Sequence, residues 1–378
     1  MPFCRNFTWL RCFWLFAFLA LFSRNLHAQA TTPDVLILTD DERVSGKLIS
    51  SSDSSVTFQS DILGKLTIGW DKVKELHTSG TFAVIPKHVK LKKGEIPNSI
   101  QRGSVDVAGQ NLEIEPQPGA AAATVPIQNT AHIVSEKEFE DALLHSPGIF
   151  GAWKGSLTAG ASLVQATQNS RTLTTAITLS RPVPTQDWMQ PSNRTDVNFN
   201  SSYGKVSTPG QTTIKTAIYH ADAQRDQYFT GSLFAFGQAA FDHNFSQGLD
   251  LEQTYGAGIG WTVIKNPDET LDLKGDLSYS RQTFQVPDQD LNLFGSRFSQ
   301  DYNRKFPRNF TLSEQLAVAP SWNQTRAYSA NAIVLFTIPV YKQFGFSVGL
   351  IDTFLNNPPA GFRKNSFQFT TGLTYTLP

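Results

Sequence analysis

Charged residues at every second position are the first chemistry in this sequence. Asp272, Lys274 and Asp276 alternate with Leu271, Leu273, Gly275 and Leu277. In an extended strand such a set shares one face and the leucines take the other. The charged face either meets water or lines a polar interior in which opposite charges pair. His220 and His243 are the only histidines after residue 148. Hydrolysis by a Ser–His pair needs the two in contact and a third polar group to orient the base. Ser246 follows His243 by three positions. That offset puts the two on opposite faces of a strand, and both histidines read as loop residues. Asp222, Asp226 and Asp242 read as segment ends, without the ligand spacing of a calcium or zinc site. Gly256, Gly258 and Gly260 lie in GAGIGW, which lacks the spacing and the following helix of a dinucleotide-binding loop. They share one strand face, where they make room for bulky neighbours. No catalytic residue, cofactor or metal ligand is assigned.

The ends of the chain set the compartment. Arg5 and Arg11, an apolar run over residues 12–22 and the triplet Ala28-Gln29-Ala30 match a secretory signal peptide over 1–30, cleaved at Ala28 and Ala30. Cys4 and Cys12 are the only two cysteines and leave with it, which excludes disulfides and thiolate sites from the exported chain. The signal also removes three of the 32 basic residues against 32 acidic ones, leaving a net charge of −3. A nucleic-acid partner does not fit that balance. No later stretch is apolar for long enough to cross a bilayer as a helix. A spanning strand needs only about ten residues and alternates apolar with polar.

Three regions follow the signal. Residues 31–80 and 81–137 read as two small five-stranded barrels of the Sm or SH3-like kind, with TVPIQNTAHIV echoing LTIGWDKVKELH. The low-complexity QPGAAAA forms a loop in the second. The basic run KHVKLKKGE (residues 87–95) reads either as a contact for anionic headgroups or wall polymer, or as an edge strand guarded by lysines. SEKEFEDALLHSPG holds one short helix, started by Ser135 and ended by Pro147-Gly148, and residues 138–148 link it to the last region.

Residues 149–378 carry twelve alternating segments. Segment four is read with Ile214, Thr216 and Ile218 on its apolar face and DAQRDQ (residues 222–227) as the loop after it. YFTGSLFAFGQAAF is apolar on both faces and receives no phase. Loops after segments four, six, eight and ten are short, and those after three, five, seven, nine and eleven are mostly longer. This fits short turns on one side of a membrane barrel and longer loops on the other. VPTQDWMQPSN (residues 183–193), after segment two, breaks the pattern.

A soluble sandwich shows the same alternation, so direction rests on other features. Asp272, Lys274 and Asp276 suit a polar lumen. Trp153, Tyr203, Tyr228, Phe241, Trp261, Tyr279, Phe298, Tyr328, Phe354 and Tyr375 cluster at segment ends, where aromatic rings suit the headgroup level. Phe367, Phe369, Leu373 and Tyr375 form one greasy face with no later element to cover it, as lipid would. Glu314 conflicts, since it sits on an apolar face; a bulge or a place near the interface would accommodate it. The expected fold is therefore all-β: a transmembrane antiparallel barrel of about twelve strands behind a small β module.

Thr370, Gly372, Tyr375 and Leu377 resemble the C-terminal signal by which outer-membrane barrels are recognised for insertion. NNPP-x-G-F-x-K-N followed by TTGL-x-Y, with KGSLTAGASL near residue 154, resembles a bacterial family of unknown function that includes a salt-induced outer-membrane protein. The resemblance implies an outer-membrane β-barrel and supplies no catalytic residues. The expected role is a structural element or a narrow passive pore in the outer membrane of a diderm bacterium, with the N-terminal module in the periplasm. Expected partners are outer-membrane lipid, the barrel-insertion machinery, and a wall polymer or periplasmic protein. The alternative is an outer-membrane lipid hydrolase with His220 or His243 at the barrel rim.

Overall fold

The computed structural model describes residues 32–87, 89–115, 122–165, 169–186, 188–208 and 212–377. Residues 1–31, with the expected cleavage site at Ala28 and Ala30, and most of QPGAAAA lie outside the described residues. The chain divides into two units. One comprises Met1–Lys87 and Ile100–Glu136, the other His88–Ser99 and Lys137–Pro378.

The first unit contains ten strands: β1 (Asp34–Leu38), β2 (Arg43–Ser51), β3 (Ser55–Ser60), β4 (Gly64–Gly69), β5 (Val73–His77), β6 (Phe82–Pro86), β7 (Gln101–Ala108), β8 (Asn111–Glu115), β9 (Ala123–Pro126) and β10 (Thr130–Ser135). The internal repeat is real. Within the first half the pairing order is β5-β1-β2-β3-β4, and within the second it is β10-β6-β7-β8-β9. A 3₁₀ turn separates the last two strands of each half, at Trp70–Lys72 and Ile127–Asn129.

Two separate five-stranded barrels do not form. β5 pairs with β7, and β10 pairs with β2. The strands β1, β5, β7, β6, β10 and β2 thereby close one six-stranded ring, and the hairpins β3–β4 and β8–β9 hang from it. Burial explains the exchange. Leu36, Phe58 and Leu76 of the first half share one core with Val105, Val107, Leu112 and Ile133 of the second. A chain of some fifty residues buries too little surface to close alone. Asp34 locks the ring's start: its buried carboxylate accepts from the N–H groups of Leu48 and Ser79, both at 2.8 Å.

The second unit is a closed antiparallel barrel of twelve strands. They are β11 (Lys154–Gln165), β12 (Asn169–Val183), β13 (Asn193–Ser207), β14 (Ile214–Tyr228), β15 (Leu233–Asn244), β16 (Leu249–Asn266), β17 (Glu269–Phe284), β18 (Leu291–Lys305), β19 (Thr311–Ala319), β20 (Ser329–Tyr341), β21 (Phe344–Leu355) and β22 (Asn365–Thr376). Each pairs with the next, and β22 returns to β11. We call the end where β11 begins and β22 finishes the base, and the opposite end the mouth.

The barrel is inside out. On β17, Leu273 and Leu277 are exposed while Asp272 and Asp276 are buried. On β22, Phe367, Phe369 and Leu373 are all more than half exposed, while Thr374 is buried. An apolar outer face with polar groups turned inward is the arrangement lipid selects, since water is available only inside. Aromatic side chains collect near both rims. Tyr279 meets Phe294 at 5.0 Å and Tyr328 meets Phe354 at 5.7 Å near the mouth; Phe344 meets Tyr375 at 5.2 Å near the base.

Several expectations are corrected by register. In β14, Tyr219 and Ala221 face out, in row with Phe199 and Phe241 of the adjacent strands. Ile218 and its even-numbered neighbours therefore face in. DAQRDQ is strand, and the connection is residues 229–232. In β15, which resists phasing by pattern, Phe234 and Phe236 are buried inside while Leu233 and Phe241 are exposed. Tyr228 points inward, with the Arg194 guanidinium 6.0 Å from its ring centroid. Ladders on both sides of β19 run without a bulge, so Glu314 does face out. It is the fourth residue from the base, and Gln300 donates to it at 3.0 Å; beside it Tyr302 donates to Glu269 at 2.7 Å. This polar girdle lies at the rim, where a charge costs little.

The long loop after β12 has a structural reason. Trp188 within it stacks on Phe139 of helix α1 (Glu136–Leu144), with centroids 5.9 Å apart and planes at 18°. Met189 bridges to Leu91, and the Gln190 N–H donates to the Leu91 carbonyl at 3.1 Å. Phe139, Leu143, Leu91 and Met189 are all buried. The basic run is thus not an edge strand, and within it Lys90 and Lys92 stay exposed. Leu91 anchors it, and Lys93 donates to the His145 carbonyl at 2.9 Å. Burial, reinforced by the Arg181 guanidinium, pushes the Lys93 ammonium below the ordinary lysine value.

Candidate functional site

Alternation delivers the site. Inward residues of β13, β14 and β16 to β18 are mainly the polar half of each strand, β15 adds Phe234 and Phe236, and the side chains meet in the lumen in three layers.

The layer nearest the base is an ion-pair plug. Arg194 of β13 donates through Nε to Asp226 at 2.8 Å and through Nη2 to Asp272 at 2.7 Å, and Asp196 lies 3.0 Å from Nε. Lys274 pairs with Asp301 at 2.6 Å and donates to Gln224 at 2.8 Å. Gln224 in turn donates to Asp226 at 2.7 Å. Arg194 lies over the Phe234 ring at 5.4 Å, and Lys274 over Phe236 at 5.8 Å. Asp226, Asp272, Phe234 and Phe236 are buried, as are Ser347 and Thr374 across the ring. Two cations, four carboxylates and two rings crowd this layer. Asp272 and Lys274 thus belong to the plug, while Asp276 sits one step above and accepts from Gln238 at 2.7 Å.

The middle layer encloses a cavity of about 210 Å³. His220 dominates its polar wall. Nδ1 lies 2.6 Å from Asp242 and Nε2 2.9 Å from Asp222. Carboxylates accept, so both ring nitrogens donate. Asp222 also accepts from Asn198 at 3.0 Å, and Glu252 accepts from Ser280 and Gln282 through a single oxygen, Oε1. On the opposite wall Ile333 and Leu335 of β20 and Ile351 of β21 present hydrocarbon between Asn331, Ser347 and Thr353.

One turn crosses the mouth. Gln247, in the turn between β15 and β16, donates to the carbonyls of Thr353 at 2.9 Å and Lys364 at 2.8 Å. Those residues lie at the β21–β22 connection, on the far side of a twelve-stranded ring, so the turn crosses the opening. Leu249, Phe284 and Leu355 pack beneath it. Gly248 has φ 67°, and a Cβ there would lie 2.8 Å from the Phe362 ring.

His220, Asp222, Asp226, Asp242 and His243 are therefore strand residues, not loop residues. The missed signal has period two: His220, Asp222, Gln224 and Asp226 alternate with Ala221, Ala223 and Arg225, as the charges of β17 do. Among the described residues no serine hydroxyl bonds to either histidine; His243 Nδ1 meets the Asp250 carbonyl at 2.6 Å. No group of residues with metal-holding geometry occurs among them. Thr370 and Gly372 face the lumen, and Tyr375 lies on the outward face of β22. Leu377 follows the strand, its N–H donating to the Gly155 carbonyl at 2.8 Å.

A closed antiparallel barrel with an apolar exterior, a charged interior and a filled base is a transmembrane β-barrel of the outer-membrane type. The family described as a protein of unknown function, DUF481, matches residues 157–377, and the chain belongs to it. Among solved structures, the translocator domain of autotransporter NalP from Neisseria meningitidis matches with a TM-score of 0.32 and 10% identity, over 59% of this chain and 87% of that one. The beta domain of the Bordetella autotransporter Brka matches with a TM-score of 0.28 and 8% identity, over 59% and 97%. No curated protein matches the chain.

Proposed function

We propose that this chain is a non-enzymatic outer-membrane barrel of a diderm bacterium, a structural element of the envelope that carries no passive flux of hydrophilic solute. Its N-terminal β module lies in the periplasm and binds a wall polymer or another periplasmic protein. Outer-membrane lipid covers the outward residues, and the insertion machinery reads Thr370, Gly372, Tyr375 and Leu377. The observation that carries the reading is the plug: Asp226 and Phe234 are fully buried in a lumen that a conducting pore would keep wet. The hydrolase alternative has no oriented Ser–His pair behind it, since both nitrogens of His220 are engaged by aspartates.

Planar-bilayer recording of the purified protein tests this. The native chain gives no single-channel steps. Arg194→Ala combined with Phe234→Ala opens the base and gives them. Sustained steps from the native chain would overturn the proposal.

A further inference from the structure

The base is plugged and one turn crosses the mouth, and the junction of the first and last barrel strands is laddered over only part of its length. The β11–β12 ladder covers the whole of β11, from Lys154↔Ser180 to Gln165↔Asn169. The β21–β22 ladder likewise runs from Phe344↔Tyr375 to Phe354↔Asn365. Between β11 and β22, however, pairing holds only Ser156–Ala159 against Leu373–Thr376, in the base half. It stops at Gly160 and Gly372. A Cβ on Gly160 would lie 2.1 Å from the Thr371 carbonyl oxygen, and one on Gly372 would lie 2.6 Å from that of Ala159. Above these glycines, residues 160–165 and 365–372 are laddered on one side only, a length of about 20 Å. Unpaired backbone edges are costly against hydrocarbon, so this half of the seam favours a polar group that lipid tails do not offer. Leu163, Phe367 and Phe369 flank it on the outside and are exposed.

The cavity reaches this seam, since Thr370 and Gly372 line it. Its two walls differ in chemistry. Ile333, Leu335 and Ile351, on the strands beside the seam, present half-buried hydrocarbon to empty space. The far wall carries both signs of charge. Arg297 of β18 lines it, within electrostatic reach of Asp222, Glu252 and Asp276, and among the described residues its guanidinium donates no hydrogen bond. Glu252 of β16 uses only Oε1 in its bonds to Ser280 and Gln282, which leaves Oε2 free to accept. A guanidinium fits a phosphate, and a carboxylate oxygen fits an ammonium.

We propose that the lumen is a binding site for a single-chain zwitterionic phospholipid, of the lysophosphatidylethanolamine type, which enters from the bilayer between the mouth halves of β11 and β22. The head group and the first carbons of the acyl chain, which lie on Ile333, Leu335 and Ile351, occupy the cavity, and the rest of the chain passes out between the two strands into the bilayer. The phosphate meets Arg297 and the ammonium meets Glu252. This does not depend on the barrel being non-conducting, because sideways access and an open base are separate properties.

The test uses the full-length protein in non-ionic detergent, with lysophosphatidylethanolamine and palmitate as probes, read by calorimetry and native mass spectrometry. The expected result is saturable one-to-one binding of the lysolipid, with palmitate at least tenfold weaker. Ile351→Asp and Arg297→Ala each weaken lysolipid binding at least tenfold. Each variant is first checked for heat-modifiable gel migration, the sign of a closed barrel. Access is tested separately. Ala161→Cys with Thr371→Cys, joined by a short bifunctional thiol reagent, slows uptake at least tenfold. Ala159→Cys with Leu373→Cys, an outward-facing pair on the part already laddered, leaves it unchanged. No lysolipid binding, equal palmitate binding, or binding indifferent to Ile351→Asp and Arg297→Ala in folded barrels would overturn the site. Unchanged uptake in the cross-linked mouth pair would overturn the sideways route.

Discussion

Gly260 shows how closely single residues are accounted for. A Cβ built there would sit 2.2 Å from the Phe234 ring, so the ring that fills the plug depends on a missing side chain on the neighbouring strand. Gly258 is similarly close, 2.1 Å from the Gly275 carbonyl oxygen. Gly275 faces out, and its nearest neighbour, Phe298, is at an ordinary 3.7 Å. Gly260→Val is therefore expected to destabilise the folded barrel by about 1–3 kcal/mol through overpacking, while Gly275→Val costs much less. Urea unfolding in lipid vesicles measures both, and equal effects would contradict the packing. That these glycines share a crowded inner face was legible from their spacing. That Phe234 is the neighbour was not, because β15 is apolar on both faces and only its partners β14 and β16 set its phase.

At the scale of elements, the loop over residues 184–192 is the informative case. Pattern reading marks it as too long for its side of the barrel. The structure shows what the extra length holds: Trp188 and Met189, which cover Phe139 and Leu91. Arg181 completes the attachment, donating to the carbonyls of Pro147 at 2.7 Å, Gly148 at 3.1 Å and Gly151 at 3.0 Å. One side chain thus satisfies three carbonyls of a segment that makes few ladder bonds of its own. Trp188→Ala or Arg181→Ala is expected to expose residues 145–152 to limited proteolysis at least several-fold faster, with the heat-modifiable migration of the barrel unchanged. Cleavage at native rates in both variants would show that the attachment lies elsewhere. No local pattern reveals such a site, since its members are separated by up to a hundred residues along the chain.

For the whole molecule the deciding property is which face meets which solvent. Leu277 is 64% exposed, at mid-strand in β17, beside the inward Asp276 and Ser278. Leu277→Arg is expected to cost about 2–4 kcal/mol in vesicles, the range for a charge near the bilayer midplane. Ser278→Asn, on the lumen side, is expected to stay near neutral. Equilibrium unfolding from vesicles gives both numbers, and a tolerated arginine at 277 would mean that lipid does not touch this face. The N-terminal unit obeys the opposite rule, with Phe58, Leu76 and Val107 buried together, so one chain carries an ordinary core and an inverted one.

The sequence by itself determined the strand-rich class, a barrel of about twelve strands, the apolar direction of β22 and the doubled plan of the N-terminal module. Each of these follows from local alternation and turn chemistry, which a strand carries in its own residues. Tertiary structure alone decided how things close. It exchanged β5 and β10 between the two repeats, set β15 in phase, brought Asp242 to His220 and Gln247 across the mouth, and left β11 and β22 half paired. These depend on residues far apart in the chain competing for the same partners, and a period-two pattern says which face a side chain takes but not which strand it will meet.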